Sequence, residues 1–117
     1  MAASNDLVID QYATFKTAFR WETKSSGQPV NLTGYTAAMQ IRRTPADATA
    51  LVSLTSAANG GLVIEGTAGR VRIEIPSTTT ATLTPGRYVY DLVLTDLSSK
   101  KKRLVEGVVI VDAGVTR

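Results

Sequence analysis

The amino-acid sequence predicts an all-β fold, an antiparallel β-sandwich, and three observations support that prediction. Apolar and polar residues alternate with a period of two, turn-forming residues cut the alternation into short runs, and the runs recur about every eight to twelve positions. The clearest run is Arg70–Ile75, in which Val71, Ile73 and Ile75 share one face while charged side chains share the other. One face of this strand should meet the core and the other should meet water.

The first half of the chain contains several runs of this kind. Phe15, Phe19 and Trp21 fall on one side of an early strand, so we expect Trp21 to be buried in the core together with one of the two phenylalanines. Further strands are predicted over 37–42 and 51–55, and a short one at 7–9. The whole chain, residues 1–117, is predicted to form a single domain, since this length supports one modest core.

Turn residues order the middle of the chain. The glycines after Asn59 should turn the chain between the run at 51–55 and the one at 62–64, and a second glycine-rich turn should precede Arg70. These three short strands are predicted to form a meander. Pro76 should end the third strand, because proline donates no ladder hydrogen bond, and Ser77 should cap a single helical turn extending to Leu83.

A proline-glycine turn at Pro85-Gly86 precedes Tyr88 at the head of a long strand. This arrangement is typical of the tyrosine corner of Greek-key sandwiches, in which the phenol hydroxyl bonds to backbone a few residues upstream. The alternative is that Tyr88 is simply a half-buried strand aromatic. With the corner, the prediction becomes an immunoglobulin-like sandwich of about seven to nine short strands with one helical turn.

The last two strands, about 87–95 and 103–111, form a long hairpin with apolar residues on both faces. Tyr88, Tyr90, Leu92 and Leu94 should share the inner face, and the opposite face is predicted to carry five valines: Val89, Val93, Val105, Val109 and Val111. Only one face can meet the sandwich core, so the valine face needs another cover. Either a local segment such as 7–9 supplies it, or these valines form an interface with a partner protein.

The only basic cluster of the sequence lies at the predicted hairpin tip and consists of Lys100, Lys101, Lys102 and Arg103. It is interpreted as a solvated turn, or else as an electrostatic contact to an acidic partner surface or, weakly, to nucleic acid. No aromatic residue is interleaved to stack on bases. Asp91 interrupts an apolar strand and is predicted to be a structural residue paired with Arg87 or with a neighbouring strand.

Composition argues against catalysis. The chain has no histidine and no cysteine, so the commonest general base, the commonest metal ligand and any thiolate site are missing. Carboxylates are scattered singly and no phosphate-loop signature occurs, so neither a metal site nor a cofactor is predicted. The net charge of +3 is too small to require a nucleic-acid partner, and none is expected. The sequence has no apolar run long enough to span a membrane.

Four segments resemble a known family: Asp6–Gln11, Asn31–Arg42, Gly86–Leu92 and Arg103–Gly107, of which the LTGYT and GRYVYDL stretches are the most specific. They are similar to small proteins of tailed bacteriophages and prophages related to the N-terminal immunoglobulin-like domain of the phage upper baseplate protein. The resemblance implies a virion protein that is made in the bacterial host cytoplasm and present in several symmetry-related copies. It carries over no catalytic residue.

The function expected from these observations is that of a structural, non-enzymatic component of a tailed bacteriophage particle. Its partners would be other phage structural proteins and further copies of itself, in the tail, baseplate, neck or fibre-attachment region. Two alternatives stay open. One is a capsid decoration protein; the other, of a different class, is a carbohydrate-binding module for host attachment, which would require several exposed aromatic side chains.

Overall fold

The computed structural model describes residues 3–21, 30–47, 49–57 and 60–115. Within these ranges the chain forms nine strands and one short helix. In chain order the elements are β1 (Ala3–Ser4), β2 (Leu7–Asp10), β3 (Phe15–Arg20), β4 (Thr36–Arg42), β5 (Val52–Thr55), β6 (Leu62–Glu65), β7 (Arg70–Ile75), α1 (Ser77–Thr80), β8 (Gly86–Thr95) and β9 (Lys101–Asp112).

The strands form two sheets that pack face to face as an immunoglobulin-like β-sandwich. The front sheet has the order β1-β9-β8-β4-β5, with β2 pairing with β9 beyond β1, and the back sheet has the order β3-β7-β6. All pairs within the described strands are antiparallel except those of β1 and β2 with β9, which are parallel. The all-β immunoglobulin-like prediction is therefore confirmed.

The core lies between the two sheets and follows from the alternation in the sequence. On β7, Val71, Ile73 and Ile75 are buried, and the charged residues between them are exposed, as predicted. β4 and β8 contribute their own alternate residues, so that Met39, Leu92 and Ile73 belong to one apolar cluster. Each inner face supplies every second residue because side chains along a strand point to opposite sides.

The early aromatic strand is less buried than expected. Phe15, Phe19 and Trp21 pack against the core but are only partly buried, so the prediction that Trp21 is a buried core anchor is wrong. Among the described strands, β3 pairs with β7 alone, so its inner-face side chains have a strand neighbour on one side only within this part of the chain. Trp21 follows the end of that strand, where a side chain reaches the boundary of the core.

The predicted meander is also wrong. β5 pairs with β4 in the front sheet, whereas β6 and β7 pair with each other in the back sheet. The connection between β5 and β6 therefore crosses from one sheet to the other, and an isolated parallel bridge joins Thr55 to Gly61 at the crossing. Alternation identifies strands, but it does not say which sheet a strand joins.

The tyrosine corner is confirmed. The Tyr88 side chain is 1% exposed, and its hydroxyl donates a hydrogen bond to the backbone carbonyl of Thr84, four residues upstream.

The helical turn between the sheets is also present but shorter than expected, since α1 ends at Thr80. Pro76 rather than Ser77 occupies the N-cap position, and no side chain caps the helix. Instead, the buried Thr80 hydroxyl donates to the Ala13 carbonyl at 2.9 Å and ties the turn to the start of β3.

The N-terminal strands lie in the plane of the front sheet, beside β9. The backbone passes so close to Gly107 that a Cβ on that residue would come within 2.2 Å of the Asn5 carbonyl oxygen. Tyr90, which pairs with Gly107 across the β8–β9 ladder, donates its hydroxyl to the same carbonyl. Glycine at position 107 is therefore required for the N-terminal strand to continue along β9.

Candidate interaction surface

The predicted valine face divides into two groups that lie on opposite sides of the front sheet. Val89 and Val93 point outward and are half-buried. Val105, Val109 and Val111 are 2%, 0% and 3% exposed and belong to the core, so their prediction as outer-face residues is wrong.

The register of the hairpin explains the error. Val109 lies opposite Tyr88 and Val105 lies opposite Leu92, and directly paired residues share a face of the sheet. Near the hairpin tip the register shifts, because Val93 pairs with Arg103 and leaves Leu104 as an extra residue on β9. A strand with apolar residues on both sides does not reveal which side faces inward, and a one-residue slip exchanges the two.

The outward residues of β9 are the ones the sequence interpretation missed. Val108 pairs with Val89, and Ile110 pairs with Val8 of β2 on one side. Val8 is 55% exposed and Ile110 is 36% exposed. We refer to the outer side of the front sheet as the front face; its apolar members are Val8, Ala38, Val89, Val93, Val108 and Ile110.

A charged network crosses the middle of the front face. The Arg103 Nε is 3.1 Å from Oδ2 of Asp91, and Arg103 Nη1 is 3.6 Å from Oε1 of Glu106. Asp91 therefore pairs with Arg103 on the neighbouring strand β9, which is one of the two predicted alternatives. Among the described residues, Arg87 is not its partner. Nearby, Arg42 donates to Gln40 Oε1 at 2.6 Å, and the network borders a depression of about 270 Å³.

The basic cluster takes the predicted exposed position, although β9 begins earlier than expected. Lys100, Lys101 and Lys102 are exposed, and the loop itself spans only 96–100. The Asp96 carboxylate closes that loop by accepting hydrogen bonds from the backbone amides of Ser98 and Lys100 at 2.8 and 2.9 Å.

An aromatic residue does accompany the basic cluster, contrary to the sequence interpretation. The Lys102 ammonium lies 5.4 Å from the centroid of the Trp21 ring, within the range of a cation–π contact. The two residues are far apart in the sequence, since Trp21 follows β3 and Lys102 lies on β9, so no local pattern could have revealed the contact.

No described strand or helix covers the front face, although Pro45 of the loop after β4 lines the depression beside Val89 and Asp91. The N-terminal strands extend the sheet at its edge instead of folding over it, because β2 pairs with β9 in a continuous parallel register from Leu7 to Asp10. The outer face of the back sheet differs in character, since ion pairs of Lys16 with Glu74 and of Arg70 with Glu65 span its strands. Large apolar side chains are exposed at other places too, at Leu51, Val63, Leu97 and Val115, but on the front face Val8 and Ile110 are exposed side by side.

Tyr90 is a buried phenol of the front sheet. Burial, together with the nearby Asp6 carboxylate, raises the pKa of the Tyr90 hydroxyl to about 12. A depression of about 730 Å³ lies beside β6 and is lined by residues such as Tyr35, Ile64 and Glu74. No group of three or more potential metal ligands occurs among the described residues. Within the same ranges, no helix has the length and apolar character needed to cross a membrane.

Comparisons with known proteins add little to this description. No protein-family model matches the sequence, and no curated protein matches it. Among solved structures, the chain is similar to murine CRIg, with 14% sequence identity and a TM-score of 0.44 over 94% of this chain and 92% of that one.

It is also similar to a family 123 glycoside hydrolase from Clostridium perfringens, with 10% identity and a TM-score of 0.34 over 98% of this chain and 24% of that one. At these values the likeness concerns the fold alone and carries no argument about function.

Proposed function

We propose that this chain is a non-enzymatic structural component of a tailed bacteriophage particle, a multi-copy adaptor that docks on other virion proteins through its front face. The family resemblance of the sequence motivates the particle, and the uncovered apolar side of the front sheet motivates the docking. The latter is the single observation on which the mechanism depends. The station is the tail, baseplate, neck or fibre-attachment region, with capsid decoration as the alternative.

The size of the front face suits a specific protein interface. The front sheet is five positions wide, and its six strands comprise 39 residues. With strands about 4.8 Å apart and a rise of about 3.3 Å per residue, the face covers about 600 Å². That is about three-quarters of the ~800 Å² per partner that a standard protein–protein interface buries.

The chemistry of the front face also favours a protein partner. Its apolar side chains are mostly β-branched and lose little conformational entropy on burial, which suits a permanent contact. Its central ion pairs between Asp91, Arg103 and Glu106 provide polar groups that can fix the register of a partner. Among the described residues, the large hydrophobic side chains that are strongly exposed are all aliphatic, and this does not favour the carbohydrate-binding alternative.

The test is incorporation into particles assembled without the native protein. Purified variants are added to such particles, and the amount that co-sediments is measured. Val93→Asp and Val108→Asp should remain folded yet lose at least tenfold in incorporation, because each places a carboxylate in the apolar front face.

Val63→Asp is the matched control, since Val63 is 58% exposed on the outer face of the back sheet and should incorporate like the native chain. Normal incorporation of folded Val93→Asp and Val108→Asp would exclude the front face as the interface. Absence of the native protein from purified particles would refute the proposed function itself.

A further inference from the structure

One corner of the front face combines exposed apolar side chains with uncompensated negative charge. We call it the β2–β9 corner and define it by Val8, Ile110, Asp10 and Asp112. Val8 pairs with Ile110, and Asp10 pairs with Asp112, two positions further along the same parallel ladder. All four side chains point outward and are exposed.

The two aspartates of this corner repel each other. They are directly paired on strands about 4.8 Å apart, and like charges in that position destabilise a sheet. The ion pairs formed within the described residues include neither of them. Arg87, on the other side of Ile110, also has no part in those ion pairs. A cationic partner would relieve the repulsion, and an apolar group beside it would cover Val8 and Ile110.

The hairpin tip carries that complementary combination. Lys100 and Lys101 are exposed, and Leu97 between the same two strands is 76% exposed. The Asp96 carboxylate accepts hydrogen bonds from the loop amides and forms no ion pair with these lysines among the described residues. The two lysines outnumber this one carboxylate, so the tip is net positive. These hydrogen bonds also hold the loop in one conformation, so the tip is ordered before it meets a partner.

The tip and the corner cannot meet within one molecule. β9 begins at the tip with Lys101 and ends in the corner with Asp112, and a strand of 12 residues separates its ends by about 36 Å at ~3.3 Å per residue. Any contact between the two surfaces must therefore join different molecules.

We propose that the hairpin tip of one copy docks on the β2–β9 corner of a second copy, with Leu97 against Val8 and Ile110 and the lysines beside Asp10 and Asp112. The contact is head-to-tail, so it leaves a free tip and a free corner at the two ends of every pair. Such contacts generate rings or filaments, as a multi-copy particle component requires. The inference deepens the proposed function by naming a second copy of this chain as one of its partners.

The contact is small and depends on charge, so it should be sensitive to salt. In sedimentation velocity of the purified chain, association should be measurable at about 0.01 M salt and lost at about 1 M, where the screening length falls from ~30 Å to ~3 Å. A chain that stays monomeric over the whole concentration range at low salt would overturn the proposal.

A charge-swap experiment identifies the two surfaces. Variant one carries Asp10→Lys and Asp112→Lys; variant two carries Lys100→Glu and Lys101→Glu. Each alone presents like charges on tip and corner, so self-association should weaken at least tenfold. In an equimolar mixture each corner faces a tip of opposite charge, and association should return.

The control is Arg72→Glu, a charge reversal at an exposed position of the back sheet, which should associate like the native chain. Folding of every variant is checked by circular dichroism. Undiminished association of either charge-swap variant alone, or folded variants that fail to associate when mixed, would refute the assignment. If the chain is monomeric in solution but still enters particles, this inference fails while the proposed function stands.

Discussion

Two neighbouring valines on β9 offer a direct test of how the hairpin divides between core and partner. Val109 is 0% exposed and lies opposite the buried Tyr88, whereas Val108 is half-buried on the front face and lies opposite Val89. The same substitution, valine to aspartate, therefore places one carboxylate in the core and the other at the water-facing surface.

The expected costs differ by several kcal/mol. Val109→Asp loses about 1.5 to 3 kcal/mol of apolar burial. It also leaves a buried carboxylate with no partner, a change that typically costs about 3 to 5 kcal/mol. The sum approaches the total stability of a domain, about 5 to 15 kcal/mol, so this variant should be largely unfolded. Val108→Asp keeps its carboxylate in water and should cost about 1 kcal/mol, mostly through lower β-propensity.

The assay is urea denaturation followed by circular dichroism, with valine-to-threonine at both positions as a milder pair. Val109→Thr should remain folded and lose about 1 to 3 kcal/mol for the buried hydroxyl. Val108→Thr should lie within about 0.5 kcal/mol of the native chain. Equal destabilisation by the two aspartate substitutions, or by the two threonine substitutions, would refute the assigned register of β9.

Three further predictions concern hydrogen bonds and close contacts of the same sheet. Tyr88→Phe removes the donor to Thr84 and should cost about 1 kcal/mol, or ~4 °C in melting temperature for a domain of this size. The fold raises the pKa of the Tyr90 hydroxyl from 10.0 to about 12. Because the unfolded chain therefore ionises first, the stability from this group is fully present below pH 10 and falls between pH 10 and 12. Melting temperatures measured against pH should show this loss, and Tyr90→Phe should abolish it. Gly107→Ala should displace the N-terminal strand and speed amide hydrogen exchange at Leu7 and Ile9, whereas unchanged protection would contradict the close approach to Asn5.

Local patterning in the sequence was sufficient to predict most strands and the tyrosine corner. The alternation on β7 and the aromatic placement before β8 depend on residues within one strand or one turn, and these predictions held. The predicted hairpin of the last two strands is present, but two other predictions that needed a pairing partner failed. The faces of β9 depend on its register with β8, which is set by the five-residue loop and the extra residue Leu104. The sheet joined by β5 depends on contacts that no periodicity encodes.

For the interaction surface, too, the local pattern was informative, whereas the assignment of residues to faces of β9 was wrong. The sequence indicated that the C-terminal hairpin is apolar on both sides, and this property points to the front face as the candidate interface. It named the correct outward residues only on β8, with Val89 and Val93. On β9 the outward residues are Val108 and Ile110, which a pattern of consecutive apolar residues cannot distinguish from their inward neighbours.

The N-terminal strand decides whether the front face remains available to a partner. If residues 7–9 folded over the hairpin, they would cover it; instead they pair with β9 in the plane of the sheet and widen the face by one strand. Two features hold them there: the missing Cβ at Gly107 and the hydroxyl of Tyr90, which donates to the Asn5 carbonyl. The Asp6 carboxylate adds a third link by accepting the Val108 amide at 3.0 Å. The same strand contributes Val8 and Asp10 to the β2–β9 corner, so its pairing with β9 couples the stability of the sheet to the surface that we propose for assembly.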